Sequence, residues 1–396
     1  MKILQVIPYF AWEYGGPVRV VHDLSVKLAE KGHEVSIYTT DVGIDGRLQD
    51  KYKIKFKENV NVEYFNCSNN WIANNFKLHL SNSMLFKIKK NLKNFDLVHL
   101  HEWRGIPHIY IWYYARKYGI PYIIQGHGSS PKLIGNQKKS MTFLKSIFNK
   151  IFEDRLIKGA SKLIAINNQE FDQYTNFGVE KNKIEIIENS IDASEYENLP
   201  VNGNFRRKYG IKNEEKIILY LGRIDSTKGI NILLESFKDL TFEMENVKLV
   251  IVGPDHGYLS TLKNLIRKFH ITDKVDIIGP LYGTDKLEAY VDSNLLVYPS
   301  YYEIFGLVPL ESLLCGTPVI VTDNCGCSDL INSLGCGYIV KYGDIIDLKE
   351  KMKFIITHER KYERLIIDGS KFIIKNLNFD QISKKFENIY YELNEG

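Results

Sequence analysis

Residues 2–40, KILQVIPYFAWEYGGPVRVVHDLSVKLAEKGHEVSIYTT, decide the fold of the N-terminal half. The apolar run at residues 3–7 predicts a buried strand, and residues 34–39 predict the next one. Between them, apolar residues recur every three or four positions from Pro17, which favours a first helical turn, to Gly32, which favours a helix end. Two strands joined by a helix form a βαβ unit, whose strands are parallel. The sequence therefore predicts a parallel sheet covered by helices.

The same alternation of apolar runs and helical patterns continues along the whole chain. Further strands are predicted at 97–100, 122–124, 162–166 and 184–187, and then at 217–221, 247–252, 275–278, 295–298 and 319–321. The polar stretch 189–213, with Pro200 and Gly203, has the composition of an interdomain connection. We therefore expect an α/β protein of two Rossmann-like, doubly wound domains, residues 1–200 and 201–375, which face each other across a cleft at the carboxyl ends of their strands.

The composition excludes several classes of protein. The 52 Lys and Arg against 48 Asp and Glu leave a net charge of +4, which is too small to indicate a nucleic-acid partner. The five cysteines contain no Cys-x-x-Cys, which disfavours a disulfide framework and a zinc site. Cys325 and Cys327 could hold a metal, but small loop residues explain them better. Because the sequence has neither a signal peptide nor 18 consecutive apolar residues, we expect a cytoplasmic chain. We also expect no cofactor.

The segment YEIFGLVPLES, residues 302–312, carries two glutamates, Glu303 and Glu311, that seven residues separate. Eight residues of helix rise about 12 Å, roughly the distance between the sugar and the ribose of a nucleotide sugar. The backbone amides near Phe305, Gly306 and Leu307 lie at a predicted helix N-terminus, which favours a phosphate. The alternative is an ordinary amphipathic helix with two surface glutamates.

The segment LGRIDSTKGI, residues 221–230, places Arg223 and Lys228 in a loop between a strand and a helix. Two cations at the carboxyl end of a strand can neutralise a diphosphate and stabilise it as a leaving group. The alternative is a pair of solvated surface charges.

Two motifs of the first domain also follow predicted strands. His127 stands between two glycines in QGHGSSP, residues 125–131, where little side-chain cover favours a ligand over a structural hydrogen bond. Gly15 and Gly16 precede the first helix and could offer amides to the donor phosphates, although two glycines also simply mark a turn. Tyr14, Glu102 and Trp103 occupy loops of this domain and are predicted acceptor contacts.

These motifs, together with GPDHGY and CGTPVIVTD, resemble the retaining glycosyltransferases of the GT-B fold in family four, over nearly the whole chain. The resemblance implies that Arg223 and Lys228 bind the donor diphosphate. It implies that Glu303 holds the transferred sugar, that Glu311 holds the ribose, and that His127 lies near the reacting sugar and the acceptor.

The same resemblance implies that Ile278 to Leu281 lie beside the nucleobase, and that a C-terminal helix within residues 376–396 crosses back onto the first domain. The expected activity is hexosyl or N-acetylhexosaminyl transfer from a nucleotide diphosphate sugar, with a UDP-sugar favoured over a GDP-sugar, to a glycan or lipid-linked acceptor in cell-surface polysaccharide or glycoconjugate assembly. No metal is expected, because the Asp-x-Asp signature of the other main glycosyltransferase fold is absent.

Two questions stay open at the level of sequence. The basic amphipathic stretch 132–162 suits either an anionic membrane surface or a solvated helix that packs on the first domain. A nucleotide-sugar epimerase or phosphorylase on the same fold, and an inactive partner subunit that binds glycan or nucleotide, are the alternatives to sugar transfer.

Overall fold

The computed structural model describes residues 1–44, 46–56, 59–76, 78–102, 105–128 and 154–395. The chain forms two compact units, of which the first contains Met1–Ser190 and Phe379–Gly396 and the second contains Ile191–Asn378. The sequence put the boundaries at residues 200 and 375. Residues 191–200 join the second unit because the N–H of Ile191 donates to the carbonyl of Leu377 at 2.7 Å, and because buried Tyr196 is hydrogen-bonded to Glu311.

The first unit contains a seven-stranded parallel sheet. Its strands are β1 (Lys2–Tyr9), β2 (Glu34–Thr40), β3 (Val60–Phe65), β4 (Leu97–His101), β5 (Tyr122–Gln125), β6 (Lys162–Ala165) and β7 (Ile184–Ile186). They lie in the order β3-β2-β1-β4-β5-β6-β7, so the winding direction changes between β1 and β4. Ile3 to Ile7 are all buried, as expected of a central parallel strand that helices cover on both faces.

Helices of the first unit connect these strands. They are α1 (Gly16–Glu30), α2 (Asn70–Phe76), α3 (Asn82–Asn91), α4 (Ile106–Tyr118), α5 (Asp154–Lys158) and α6 (Asn168–Asn176). Helix α1 buries Val18, Val21, Leu24 and Leu28, the stripe that the sequence predicts. A short antiparallel hairpin, Val42–Gly43 with Gly46–Arg47, lies outside the main sheet.

The second unit repeats the architecture with six parallel strands. They are β8 (Lys216–Leu221), β9 (Val247–Val252), β10 (Val275–Ile278), β11 (Leu295–Tyr298), β12 (Val319–Thr322) and β13 (Gly337–Val340), in the order β10-β9-β8-β11-β12-β13. Its helices are α7 (Asn204–Tyr209), α8 (Ile230–Thr241), α9 (Leu259–Lys268), α10 (Gly283–Val291), α11 (Leu307–Leu314), α12 (Ser328–Leu334), α13 (Ile345–Thr357) and α14 (Glu359–Asn376). The winding changes direction between β8 and β11.

The last helix, α15 (Phe379–Glu395), belongs to the first unit. It packs against α1 and buries Phe386 and Tyr390. Its Glu387 accepts from Lys31 at 2.9 Å and lies 3.0 Å from the Nε2 of His33. Apolar burial and these paired charges together attach the helix to the first sheet.

The prediction of two doubly wound parallel-sheet domains is confirmed. The strands that sequence reasoning missed, β3 and β13, both lie at sheet edges, where half-exposed residues interrupt the apolar pattern.

Candidate functional site

In the second unit, the two strands at which the winding reverses bring a lysine and a glutamate together. Lys228 follows β8 and Glu303 follows β11, and the Nζ of Lys228 lies 2.6 Å from an Oε of Glu303. The hydroxyl of Tyr298, the last residue of β11, donates to the same oxygen at 2.7 Å. Lys228 is buried, whereas the Glu303 side chain keeps 22% of its surface exposed. Ligands of open α/β sheets bind at this topological position.

Local backbone geometry sets the position of Lys228. The carboxylate of Asp225 accepts from the N–H of Thr227 at 2.8 Å and so begins the single 3-10 turn Ser226–Lys228. Gly229 then adopts a φ of +65°, and a Cβ there would lie 1.9 Å from the carbonyl oxygen of Pro299. Only glycine lets this loop approach the end of β11 so closely.

Arg223 lies in the same loop but differs from Lys228 in its surroundings. Its side chain is exposed, and within the described residues its guanidinium makes no hydrogen bond or ion pair. Its backbone carbonyl accepts from the hydroxyl of Tyr220 at 2.8 Å. The rings of Tyr220 and Tyr298 stack at 6.3 Å beneath the loop. The backbone of Arg223 is therefore held in place, and its charge remains available to a ligand.

The segment that carries Glu303 is tied to the loop after β12. The N–H of Glu303 donates to the carbonyl of Asn324 at 3.1 Å, and the N–H of Gly326 donates to the carbonyl of Glu303 at 2.8 Å. Gly306 precedes α11 with a φ of +89°. A Cβ on Gly306 would lie 2.7 and 2.8 Å from the sulfurs of Cys325 and Cys327. The two buried cysteines thus form the floor under this glycine, in agreement with their interpretation as small loop residues.

The neighbouring residues Phe305 and Leu307 flank this glycine. Phe305 is buried and Leu307 begins α11. The first N–H groups of α11 have no partner within the helix, as at any helix N-terminus.

Glu311 is the fifth residue of α11, and its side-chain partners differ from those of Glu303. Its carboxylate accepts from the hydroxyl of Tyr290 at 2.8 Å and pairs with the Nζ of Lys286 at 3.1 Å. The hydroxyl of Tyr196 also bonds to it, and burial raises the pKa of Tyr290 well above its ordinary value. The two glutamates therefore occupy separate polar clusters rather than an open surface.

The residues that the resemblance assigns to the nucleobase lie at the end of a third strand. Ile278 is the last residue of β10, and Leu281 follows in the loop before α10. Both are half-buried. Their apolar side chains are thus partly open to a planar ligand.

In the first unit the strands at which the winding reverses, β1 and β4, also end in a polar pair. The hydroxyl of Tyr9 donates to Glu102 at 2.6 Å, and the ring of Tyr14 stacks on Tyr9 at 4.1 Å. Glu102 has a φ of +71°, which is strained for a residue with a side chain. Burial and the Glu102 carboxylate raise the pKa of Tyr9 well above its ordinary value, and burial raises the pKa of Tyr14 to about 12.

Gly15 and Gly16 open α1 beside this pair. Gly15 has a φ of +75°, both residues are exposed, and a Cβ on either one would meet nothing within 4 Å. Trp103 and most of the basic stretch 132–162 lie outside the described residues.

His127 lies two residues beyond Gln125, the last residue of β5, and has a φ of +48°. The adjacent amides hold it: Gly126 N–H donates to the hydroxyl of Tyr174 at 3.2 Å, and Gly128 N–H donates to buried Glu170 at 2.9 Å. The Nε2 of His127 lies 2.9 Å from the Nδ1 of His101, and burial lowers the pKa of His127 to about 3. Sequence reasoning missed His101, although its place at the end of β4 was a usable signal.

Two parallel-sheet units with clustered polar residues at the reversal points of their sheets define a protein of the GT-B fold. Family models support this assignment along most of the chain: the model of glycosyl transferases group 1 matches residues 201–372, and that of glycosyltransferase family 4 matches residues 14–195. The chain belongs to the family-four glycosyltransferases and is a glycosyltransferase enzyme.

Individual proteins agree with the family assignment. The N-acetyl-alpha-D-glucosaminyl L-malate synthase of Bacillus anthracis is 25% identical over 96% of this chain and 94% of its own length. The alpha-monoglucosyldiacylglycerol synthase of Streptococcus pneumoniae is 26% identical over 84% of this chain and 73% of its own length. The crystal structure of Anabaena Alr3699/HepE in complex with UDP covers 99% of this chain and 100% of its own, with a TM-score of 0.78 at 17% identity. Within the described residues, no helix is both long and apolar enough to cross a membrane.

Proposed function

We propose that the protein is a retaining, metal-independent glycosyltransferase that moves a hexose or N-acetylhexosamine from a nucleotide diphosphate sugar to a glycan or lipid-linked acceptor. The observation that carries this proposal is the contact of Lys228 with Glu303 at the reversal point of the second sheet. A diphosphate needs a cation and a sugar hydroxyl needs a carboxylate, and here the two groups are neighbours. The donor would therefore bind with its sugar–phosphate bond close to this pair.

Each donor residue has a role that its surroundings support. Lys228 and exposed Arg223 bind the diphosphate and stabilise the charge that develops on it as the sugar leaves. Glu303 holds the hydroxyls of the transferred sugar. Glu311, which Tyr290 orients, accepts from the ribose hydroxyls. These positive charges do the work that a divalent metal does in other transferases.

Further donor contacts come from backbone and apolar groups. The amides of Phe305, Gly306 and Leu307 at the start of α11 suit the phosphate, and Ile278 and Leu281 suit the nucleobase. Gly15 and Gly16 are exposed, and a Cβ added to either of them would meet no atom within 4 Å, which leaves space for a substrate.

The reaction proceeds with attack on the face of the sugar that the phosphate leaves. The acceptor hydroxyl forms the new bond to the anomeric carbon while the bond to the diphosphate breaks, and a diphosphate oxygen takes the hydroxyl proton. His127 lies beside the reacting sugar. Tyr14 and Glu102, which share a contact with Tyr9, bind the acceptor together with Trp103.

A UDP-sugar is the favoured donor, because the Anabaena protein of the same fold is described in complex with UDP. The names of two relatives bear on the acceptor: one forms a glucosyldiacylglycerol, which is a glycolipid and supports a lipid acceptor, and the other forms an N-acetylglucosaminyl derivative of malate, a small hydroxy acid. The products of this enzyme would accordingly enter polysaccharide or glycoconjugate assembly.

The test is a screen of UDP-, GDP- and ADP-sugars, with and without EDTA, by thermal shift and by transfer to an acceptor panel. A donor raises the melting temperature of the protein that binds it. We expect UDP-sugars to do so equally in EDTA, and the anomeric coupling of the product to match that of the donor. A loss of activity in EDTA, an inverted product, or epimerisation of the donor without any acceptor would contradict the proposal.

Lys228→Met provides the matched test of the site, and Lys248→Met is its control. Lys248 is also a largely buried lysine of the second unit paired with a carboxylate, 3.1 Å from Asp276, but it lies near the start of β9, at the opposite end of the sheet. We expect transfer to fall at least about a hundredfold in Lys228→Met, the typical cost of removing one group that stabilises a transition state, and to persist in Lys248→Met. Equal activity of the two variants would refute the assigned donor site.

A further inference from the structure

Three polar side chains of the first unit form a hydrogen-bonded row that ends at His127. Gln5 lies in the middle of β1, His101 is the last residue of β4, and His127 follows β5. These three strands are adjacent in the sheet. Gln5 and His101 are fully buried, in a position where apolar side chains are the rule.

The register of the strands explains why these groups meet. Gln5 pairs with His99 in the β1–β4 ladder, and His101 stands two residues further along β4, on the same face as His99. The rings of His99 and His101 are 4.0 Å apart. The row therefore crosses the sheet from β1 to the end of β5 on one face.

The chemistry of each group decides which atom donates and which accepts in each hydrogen bond of the row. The Oε1 of Gln5 is hydrogen-bonded to the Nε2 of His101, and because an amide oxygen only accepts, this Nε2 carries the proton. Burial lowers the pKa of His101 well below its ordinary value, so the ring is neutral and holds a single proton. Its Nδ1 must then accept, and the Nε2 of His127, 2.9 Å away, must donate to it.

The direction of these hydrogen bonds determines the state of Nδ1, the other ring nitrogen of His127. This ring is also neutral near pH 7, because burial lowers its pKa to about 3. With its one proton on Nε2, its Nδ1 has a lone pair, and no hydrogen bond to Nδ1 comes from the described residues. The other partners around the ring hold its backbone only, through Gly126 and Gly128.

We propose that Gln5, acting through His101, holds His127 in its neutral Nε2–H form, so that Nδ1 accepts a hydrogen bond from a hydroxyl of a bound sugar. Gln5 and His101 are positioning residues, since neither contacts the substrate. The proposal deepens the proposed function and rests on it for the identity of the ligand. The state of the ring itself follows from the first unit alone.

The direct test measures the protonation of the ring in the intact protein. Two-bond proton–nitrogen correlation spectra of protein labelled with ¹⁵N-histidine distinguish the two neutral forms, and the spectrum of His127→Asn assigns His127 among the ten histidines. We expect His127 and His101 each to carry a proton on Nε2 only. A proton on the Nδ1 of His127, a mixture of the two forms, or a charged ring at pH 7 would overturn the proposal.

Variants separate positioning from mere stability. Gln5→Met keeps the volume of the side chain but removes the acceptor oxygen, so we expect His127 to become a mixture of both neutral forms. We expect kcat/KM to fall in proportion to the Nε2–H form that is lost, about twofold for an equal mixture and at most about tenfold, the order of one neutral hydrogen bond. The KM of either the donor or the acceptor should rise. The substrate that shows this rise is the one whose hydroxyl donates a hydrogen bond to Nδ1.

Two substitutions on β4 complete the design. His101→Asn places an amide oxygen near the former Nδ1, so it should retain most activity, and adding Gln5→Met to it should then cost nothing further. His99→Asn is the matched control, equally buried and on the same face, with its Nδ1 bonded 2.7 Å away to Tyr390 and not to His127. It should leave the His127 spectrum and kcat/KM unchanged.

Equal losses in His99→Asn and Gln5→Met would mean that the cluster only stabilises the fold, and the proposal would fall. An absence of transfer with every donor would count against the proposed function, whereas the spectra would still decide the state of His127. The two failures are therefore distinguishable.

Discussion

The contact of Lys228 with Glu303 implies a competition that binding measurements can detect. Without a ligand, the ammonium of Lys228 is 2.6 Å from the carboxylate of Glu303. In the proposed function a diphosphate takes Lys228 as its partner, and Glu303 turns to the sugar. A nucleoside diphosphate without a sugar must therefore separate the pair, and it offers Glu303 no new partner. Glu303→Gln removes the free-energy cost of separating this ion pair.

The size of the effect follows from the pair's surroundings. A hydrogen bond to a charged group contributes about 1.5–3 kcal/mol. Solvent reaches the Glu303 side chain, which is 22% exposed, and Tyr298 remains as a partner at 2.7 Å, so we take the lower end of that range. About 1.4 kcal/mol corresponds to a tenfold change in Kd. Glu303→Gln should therefore bind UDP about tenfold more tightly than the wild type, although it should transfer sugar at least about a hundredfold more slowly.

Isothermal titration with UDP at constant salt measures this effect. Glu311→Gln is the matched control, because the same substitution there weakens the proposed bond to the ribose and should weaken UDP binding. Opposite changes in the two variants would support separate roles for the two glutamates. Weaker UDP binding by Glu303→Gln would refute the idea that phosphate and Glu303 compete for Lys228.

Three further results are expected. Gly306→Ala should abolish donor binding in thermal-shift assays. The new Cβ would lie within 3 Å of the sulfurs of Cys325 and Cys327, and a φ of +89° is strained for alanine. Unchanged binding would show that this turn tolerates a side chain. Burial lowers the pKa values of His127 and His101, so the unfolded chain binds protons that the folded protein does not. The free energy of unfolding should therefore be highest above about pH 6.5 and fall as the pH approaches the folded pKa values, by up to about 1.4 kcal/mol per pH unit for each group. Urea unfolding of His101→Asn should show a shallower acid slope than the wild type, and an equal slope would contradict this assignment. All five cysteines are buried, and burial raises the pKa of several of their thiols. A thiol reagent such as DTNB should therefore label the native protein at pH 8 far more slowly than the urea-unfolded protein. Rapid labelling of the native state would contradict this packing.

Sequence reasoning found the central strands because each is a short apolar run followed by a turn. The predicted runs at 217–221 and 295–298 nearly coincide with β8 and β11, so the loops that carry Lys228 and Glu303 were correctly located at strand ends. The edge strands β3 and β13 escaped because half-exposed residues leave no continuous run. The order of strands is not local information, and neither is the resulting contact between residues 75 positions apart.

The supporting residues of the site were harder to predict for a related reason. Tyr298 and Tyr290 appear in sequence as ordinary apolar positions of a strand and a helix, and only the packed structure turns their hydroxyls toward Glu303 and Glu311. Gln5 interrupts an apolar run, and a buried amide in a central strand is the kind of local inconsistency that marks functional sites. That signal was present in the sequence, but its partner His101 could be named only once the strand order was known.

The two sheets have the same kind of winding reversal but place different chemical groups at it. In each unit the strands on either side of the winding reversal end in a hydrogen-bonded polar pair, Tyr9 with Glu102 in the first and Lys228 with Glu303 in the second. The first pair contains no cation, and the histidines at the ends of β4 and β5, His101 and His127, are held neutral by burial. The second pair contains a buried ammonium, and exposed Arg223 adds another charge. Among the described residues at the two reversal points, a diphosphate therefore has its complementary charges in the second unit, whereas those of the first offer hydroxyl, carboxylate and neutral imidazole groups, which suit the hydroxyls of a sugar. This difference in charge, rather than any difference in fold, assigns the donor to one unit and the acceptor to the other in the proposed reaction.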